Sequence, residues 1–184
     1  MAVLDIMTYG SYTNKDAVRN VLAYVLRVRD DERRRAELLF WGGFGIPVYD
    51  YEENVIKSFL CVQDTYNISS RKGRRIFHET VTMTPMEFNG LGNNYGVLKA
   101  VIEEYCYKEY FQQGFQVVYA VHWDKNKSLH VHFVINTINF KDGKKWHTSY
   151  EETAERETTF NSILRKYQSP IICGVKGGNY GKEF

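Results

Sequence analysis

Apolar and polar positions along this chain change period several times, and each change marks an element. Ala2 to Met7 is a short apolar run, read as a first strand. Val18, Val21, Leu22 and Val25 then recur at i, i+3, i+4 and i+7. That is the stripe of an amphipathic helix from about Lys15 to Arg27, which Thr13 or Asn14 can cap. Tyr24 lies beside the stripe, so its ring can pack while its hydroxyl reaches outward; from the helix alone it is a boundary tyrosine. Residues 33–50 hold Gly42-Gly43-Phe44-Gly45 and Pro47 and read as loop. No G-K-[ST] follows the glycines, so they are not a phosphate loop. Glu52 to about Asp64 has helical spacing through Val55, Phe59 and Leu60, and Tyr66 to Arg75 is a polar, basic connection. Arg75 to Thr84 alternates like a strand, with His78, Thr80 and Thr82 on one face and Glu79, Val81 and Met83 on the other. Pro85 ends it, and Asn89 to Gly96 reads as loop. Val97 to Phe111 is a helix, Gln116 to His122 a strand, and Lys141-Asp142-Gly143-Lys144 a tight turn. Glu151 to Tyr167 is a charged helix with Phe160, Ile163 and Leu164 inward, and Ile171 to Val175 is a last strand. The expectation is an α/β (α+β) fold: a central, mainly antiparallel sheet with helices packed on it, in one domain spanning 1–184 with a loose tail from about residue 176.

The densest chemistry sits where two strands adjoin. Three of the five histidines fall between His122 and His132. From Leu129 onward the alternation puts Leu129, Val131, Phe133 and Ile135 on one face and His130, His132 and Asn136 on the other. The polar stretch Asp124-Lys125-Asn126-Lys127-Ser128 is short enough for a hairpin. A turn centred on Asn126 sets His122 opposite His130, and facing positions in an antiparallel pair have Cβ atoms roughly 5 Å apart. Three imidazoles on one patch of sheet predict a metal site with coordination positions left open, the arrangement of a catalytic ion. Asp124 is placed either to orient His122 through its second nitrogen or simply to serve the turn.

Composition changes this picture little. Charged residues are 25% and hydrophobic ones 43%, as in an ordinary soluble globular protein, and the formal net charge of +2 argues neither for nor against nucleic acid. The basic residues gather in two runs, Arg27, Arg29, Arg33, Arg34, Arg35 and Arg71, Lys72, Arg74, Arg75. Phosphate-binding surfaces and solvated loops both look like this. Cys61, Cys106 and Cys173 have no C-x-x-C spacing and read as free thiols in a reducing compartment. No apolar run approaches the ~20 residues that span a bilayer. The N-terminus lacks a signal peptide's build, so a cytoplasmic protein is expected.

His122-Trp123-Asp124 followed by Leu129-His130-Val131-His132-Phe133-Val134-Ile135-Asn136 resembles the third motif of plasmid and transposon mobilisation relaxases, the MobA/VirD2-like tyrosine nucleases of the paired-histidine (HUH) group. Val21-Leu22-Ala23-Tyr24-Val25-Leu26 resembles their first motif, in which a helical tyrosine is the nucleophile. Phe77 to Glu87 resembles the second, with Thr82 where Ser is common. The resemblance runs from about Asn20 to Tyr150. Members are usually longer, so the chain is either a minimal protein or a shortened piece.

The resemblance implies an HUH-type palm and a bacterial enzyme that nicks and rejoins one strand of supercoiled DNA at a transfer origin. Tyr24 would form a 5′-phosphotyrosine, and a divalent ion (Mn, Mg or another transition metal) would sit on His122, His130 and His132. Thr82, Asp124, Asn136, His147, Arg27, Arg74 and Arg75 are the expected neighbours or DNA contacts, with the strand lying in a basic, aromatic groove. Accessory mobilisation proteins are possible partners, and membrane insertion is not expected. Three alternatives stand beside it. Rolling-circle initiators of the same group carry Y-x-x-K after the histidines; here Tyr105-Cys106-Tyr107-Lys108 precedes them, while Tyr150 and Tyr167 follow without the lysine. A three-histidine hydrolase would use metal-bound water, and a binding module would close its metal with a fourth ligand such as His78 or His147.

Overall fold

The structure, a computed structural model, describes residues 2–6, 12–14, 16–28, 32–47, 51–67, 72–123, 128–147 and 149–168. In chain order the elements are β1 (Val3–Ile6), α1 (Ala17–Val25), α2 (Glu32–Arg35), β2 (Leu38–Phe44), α3 (Glu52–Thr65), β3 (Ile76–Met83), α4 (Pro85–Gly90) and α5 (Tyr95–Cys106). A π-helical turn, Tyr107–Phe111, extends α5, and β4 (Val117–Trp123), β5 (Leu129–Asn136) and α6 (Tyr150–Tyr167) complete the order. The expected last strand over Ile171–Val175, the tail and Cys173 lie outside the described residues.

Five strands form one sheet in the order β1-β3-β5-β4-β2, every neighbouring pair antiparallel. The expected α+β architecture is thus present, with helices on both faces. Alternation along the strands divides the core in two. Val81, Met83, Val117, Tyr119, Val121, Leu129, Val131, Phe133 and Ile135 point to α5 and α6, where they meet Leu98, Ile102, Tyr105 and Phe160. Ile76, Val118, Ala120 and Val134 point the other way and pack on Val18, Leu22 and Val25 of α1 and Val55, Ile56 and Phe59 of α3. Each such aliphatic or aromatic side chain contributes ~1.5–3 kcal/mol when fully buried. The histidine face of β5 therefore lies under α1, the helix that carries Tyr24.

Helix α1 begins later than its sequence suggests: Asp16 is the N-cap and makes no side-chain cap bond, so neither Thr13 nor Asn14 caps it. Its end is more specific. Val28 N–H donates to the Ala23 carbonyl at 3.1 Å and Leu26 N–H to Leu22 at 2.9 Å, while Arg27 adopts φ 56°. This is the left-handed helix end that glycine usually takes, here occupied by arginine.

Two ordered elements are absent from the sequence expectation. Thr84 and Glu87 form a reciprocal capping box with Pro85 in the first turn, which starts the short α4. Residues 38–44 are strand β2, not loop. Glycine in a strand marks close approach, and a Cβ on Gly42 would lie 2.6 Å from Cζ of Tyr119 on β4. The glycines are a packing requirement of the sheet. Among the described residues no helix is long and apolar enough to cross a membrane, and Cys61 and Cys106 are free.

Candidate active site

The imidazoles come from three adjacent strands. His122 on β4 is the direct cross-strand partner of His130 on β5, the register expected from the hairpin. On the other flank of β5, Thr82 pairs with His130 and Thr80 with His132. The rings of His122 and His132 are 4.6 Å apart between centroids. Thr82 Oγ1 lies 3.2 Å from Nδ1 of His130, so the second-motif hydroxyl does touch the histidine patch. Asp124 lies outside the described residues.

Tyr24 reaches this patch from the last turn of α1. Its ring stands edge-on to His132, centroids 6.1 Å apart at 86°, and the residue is 47% exposed. A phenol on a helix end is thus brought beside the imidazoles while staying open to solvent.

Tyr12 was not foreseen in the site, and His78 and Arg27 make contacts there that the sequence does not specify. His78, 3% exposed, places Nε2 3.0 Å from Nδ1 of His132. Tyr12 sets its hydroxyl 3.5 Å from Nδ1 of His78. The strand pattern had put His78 on the same face as Thr80 and Thr82; what it lacked was that β3 lies next to β5. Arg27, part of a basic run and an expected neighbour of the site, is buried: its Nη2 lies 3.3 Å from Glu37 and 3.4 Å from Nδ1 of His122, and its guanidinium stands 5.0 Å from the Tyr24 ring centre.

Burial sets the charge state of the cluster. It pulls His78 down to about 4, helped by the charge of His122. It pulls His122 to about 4 as well, with Arg27 adding to the effect, and His132 to about 2, with His122, His78, His130 and Arg27 behind it. Desolvation disfavours the charged imidazolium, and neighbouring positive charge disfavours it further. These three rings are therefore neutral near pH 7. Burial also raises the Tyr12 hydroxyl, against a lowering by Arg74.

Neutral imidazoles are the form in which histidine ligates, so the donor set fits a divalent ion. Among the described residues, however, no three donors converge as they stand. His122 is engaged on both nitrogens: Nε2 is 2.7 Å from the Val25 carbonyl oxygen while Nδ1 faces Arg27. Its lone pair is engaged until one of those bonds is exchanged.

The remaining expected residues stand elsewhere. Asn136 is fully buried, its amide bonded to Gln63, Gln116 and the Phe59 carbonyl. It ties strand ends to α3 and is closed to DNA. His147 lines a cleft of about 560 Å³ with Glu109, Trp146 and Arg156, on the α5–α6 side where Trp146 packs against the larger core. Arg74 lies over Phe77 at 5.4 Å, and Arg75 bonds through its backbone to Tyr12. Arg33, Arg34 and Arg35 are exposed on α2. Tyr105 is completely buried with its hydroxyl on Tyr110, and the Tyr167 hydroxyl is held by Glu104. Neither is placed to attack beside the histidines.

No curated protein matches the chain. A family model does: the nuclease domain of MobA/VirD2-like relaxases aligns with residues 15–169 of the 184. That span takes in Tyr24, the β3 face and the whole histidine hairpin. The chain belongs to the MobA/VirD2-like relaxase nuclease family, and DNA nicking is the activity that this family brings to it.

Proposed function

We propose that this chain nicks one strand of DNA at a transfer origin and later rejoins it, through a covalent tyrosine intermediate, in the service of plasmid or transposon mobilisation. The observation that carries the reading is Tyr24, an exposed phenol set edge-on to a buried imidazole patch. The Tyr24 oxygen attacks the scissile phosphorus, the bond from phosphorus to the 3′ oxygen breaks, and the phenol's proton is balanced by the one gained on the released 3′-hydroxyl. The product is a 5′-phosphotyrosine, which conserves the bond for rejoining. An ordinary tyrosine has pKa near ~10 and is a weak nucleophile at neutral pH. His122, His130 and His132 would hold a divalent ion, which would supply Lewis acidity against the charge growing on the phosphate. Thr82 holds the His130 ring by its Nδ1. Arg27 adds a fixed positive charge beside the Tyr24 ring, while Arg75 bonds through its backbone to Tyr12 and the charge of Arg74 reaches the Tyr12 hydroxyl. The single-stranded substrate would run past these groups, and a reducing bacterial cytoplasm suits the free thiols of Cys61 and Cys106.

The test is incubation with a supercoiled plasmid carrying the DNA that flanks this gene, with Mn²⁺ or Mg²⁺, followed by a search for a peptide–DNA adduct. A 5′ adduct on Tyr24, lost in Tyr24→Phe, is the expected result. Nicking that persists in Tyr24→Phe, or product with a free 5′-phosphate, refutes it.

A further inference from the structure

Behind His132 stands a second imidazole, and the direction of the contact between them is set by elementary rules. A histidine that ligates through one nitrogen carries its proton on the other and donates it to an acceptor, most often a carboxylate or a carbonyl. Nδ1 of His132 faces Nε2 of His78 at 3.0 Å, inside the sheet face. The two rings are 5.2 Å apart and inclined at 34°. Sheet geometry explains the meeting: His132 pairs with Thr80, and His78 is the diagonal neighbour two residues along β3, within reach of long side chains. The carboxylate nearest in sequence, Glu79, points to the opposite face, where Arg156 and Tyr110 hold it. Alternation along β3 therefore denies His132 that acid and offers it an imidazole.

We infer that His78 is the positioning residue of the metal site: its Nε2 lone pair accepts the Nδ1 proton of His132 and turns the other nitrogen of His132 toward the ion, with Tyr12 closing the line. This rests on His132 being a metal ligand, as in the reading above. If His78 accepts on Nε2, its own proton sits on Nδ1 and is directed at the Tyr12 oxygen, 3.5 Å away. A neutral acceptor adds no negative charge next to the ion. The ion then keeps more of its pull for a phosphate than it would with a carboxylate in that place, and it is held less tightly.

Two measurements decide this without DNA. In calorimetric titration of the metal-free protein with Mn²⁺, His78→Phe fills the space but cannot accept. It should bind roughly 10–100-fold more weakly, the usual cost of losing such a partner. His78→Gln, whose amide oxygen accepts, should recover most of the loss, and Tyr12→Phe should change little. If His78→Phe fails to fold, ¹⁵N spectra of the wild-type Zn²⁺ complex answer instead: His78 should carry its proton on Nδ1 and His132 a protonated Nδ1. Unchanged Mn²⁺ affinity in folded His78→Phe, or a proton on Nε2 of His78, overturns the inference. Metal binding that depends on His78 in a protein forming no DNA adduct would sink the nicking reaction and leave this assignment standing.

Discussion

Arg27 and His122 meet through one hydrogen bond that fixes the state of the imidazole. A guanidinium can only donate, so Nη2 of Arg27 gives its proton to Nδ1 of His122 across 3.4 Å. The imidazole proton must then sit on Nε2, where the Val25 carbonyl accepts it at 2.7 Å. Both partners come from the end of α1, one residue after and one after three counted from Tyr24. The helix that presents the phenol also holds the first histidine of the hairpin.

Removing the guanidinium separates these effects. Arg27→Gly places glycine at a φ of 56°, where L side chains are disfavoured by ~1–2 kcal/mol. That gain offsets the lost contact with Glu37, so the melting temperature should move by only a few degrees. The lone pair on Nδ1 of His122 is no longer occupied, and Mn²⁺ affinity should rise several-fold in calorimetric titration. Adduct formation should fall by at least ~10-fold, since a charge beside the phenol is worth ~1.4 kcal/mol or more. Weaker metal binding in Arg27→Gly would show that the guanidinium supports the site instead of competing for it.

Stability should depend on pH through the buried imidazoles. In the unfolded chain they titrate near ~6.5; folded, His78 and His122 are pulled to about 4 and His132 to about 2. Between those values the unfolded state binds more protons, so stability rises with pH. The contribution is complete above ~6.5 and is lost as pH falls from there toward about 4 for His78 and His122 and about 2 for His132. The urea midpoint should therefore drop already between ~pH 6.5 and ~pH 5, above the ordinary carboxylate range. His132→Phe should flatten that drop. A midpoint constant across this interval contradicts the burial of neutral imidazoles.

The histidine hairpin was legible because one rule, alternation, governs both strands and the turn length fixes their register. The place of Tyr12 and the contacts that His78 and Arg27 make were not, because they join residues 66, 54 and 95 apart and depend on which elements are neighbours. Asn136 shows the converse limit: an asparagine on the histidine face has the chemistry of a DNA contact until burial reveals that the fold consumes it. The strand β2 was hidden by Gly42-Gly43, whose usual meaning is a loop; here Gly43 clears the Val117 carbonyl and Ile46, and Gly42 makes room for the thickness of Tyr119.

That thickness yields a direct test. Tyr119 is held in place by its hydroxyl bond to Glu103 at 2.9 Å, so it cannot simply swing aside from a new methyl group on Gly42. Gly42→Ala should cost ~1–3 kcal/mol in urea denaturation, the range for overpacking a tight interior. Adding Tyr119→Val, which removes the ring, should recover part of the loss. Full stability in Gly42→Ala alone would mean that β2 sits further from β4 than its register implies.

On the face away from the site, Glu79 and Arg156 form an ion pair at 2.8 Å with side chains 1% and 5% exposed. Tyr110 donates to the other carboxylate oxygen at 2.6 Å, and the guanidinium lies 5.7 Å from the Trp146 ring centre. Burying both charges costs about as much as their attraction returns, whereas stranding one is expensive. Arg156→Met should therefore destabilise by ~3–5 kcal/mol, and Glu79→Leu by a similar amount. Glu79→Leu combined with Arg156→Met and Tyr110→Phe leaves no buried charge unpaired, although the Tyr105 hydroxyl gives up its Tyr110 partner, and should regain part of that loss. A triple variant as unstable as the sum of its parts would mean that the pair contributes net stability. Because Glu79 precedes Thr80 on β3, the same triple variant asks whether the histidine face needs this anchor: Mn²⁺ affinity should stay within a few-fold of wild type if the strand is held by its ladder and core alone.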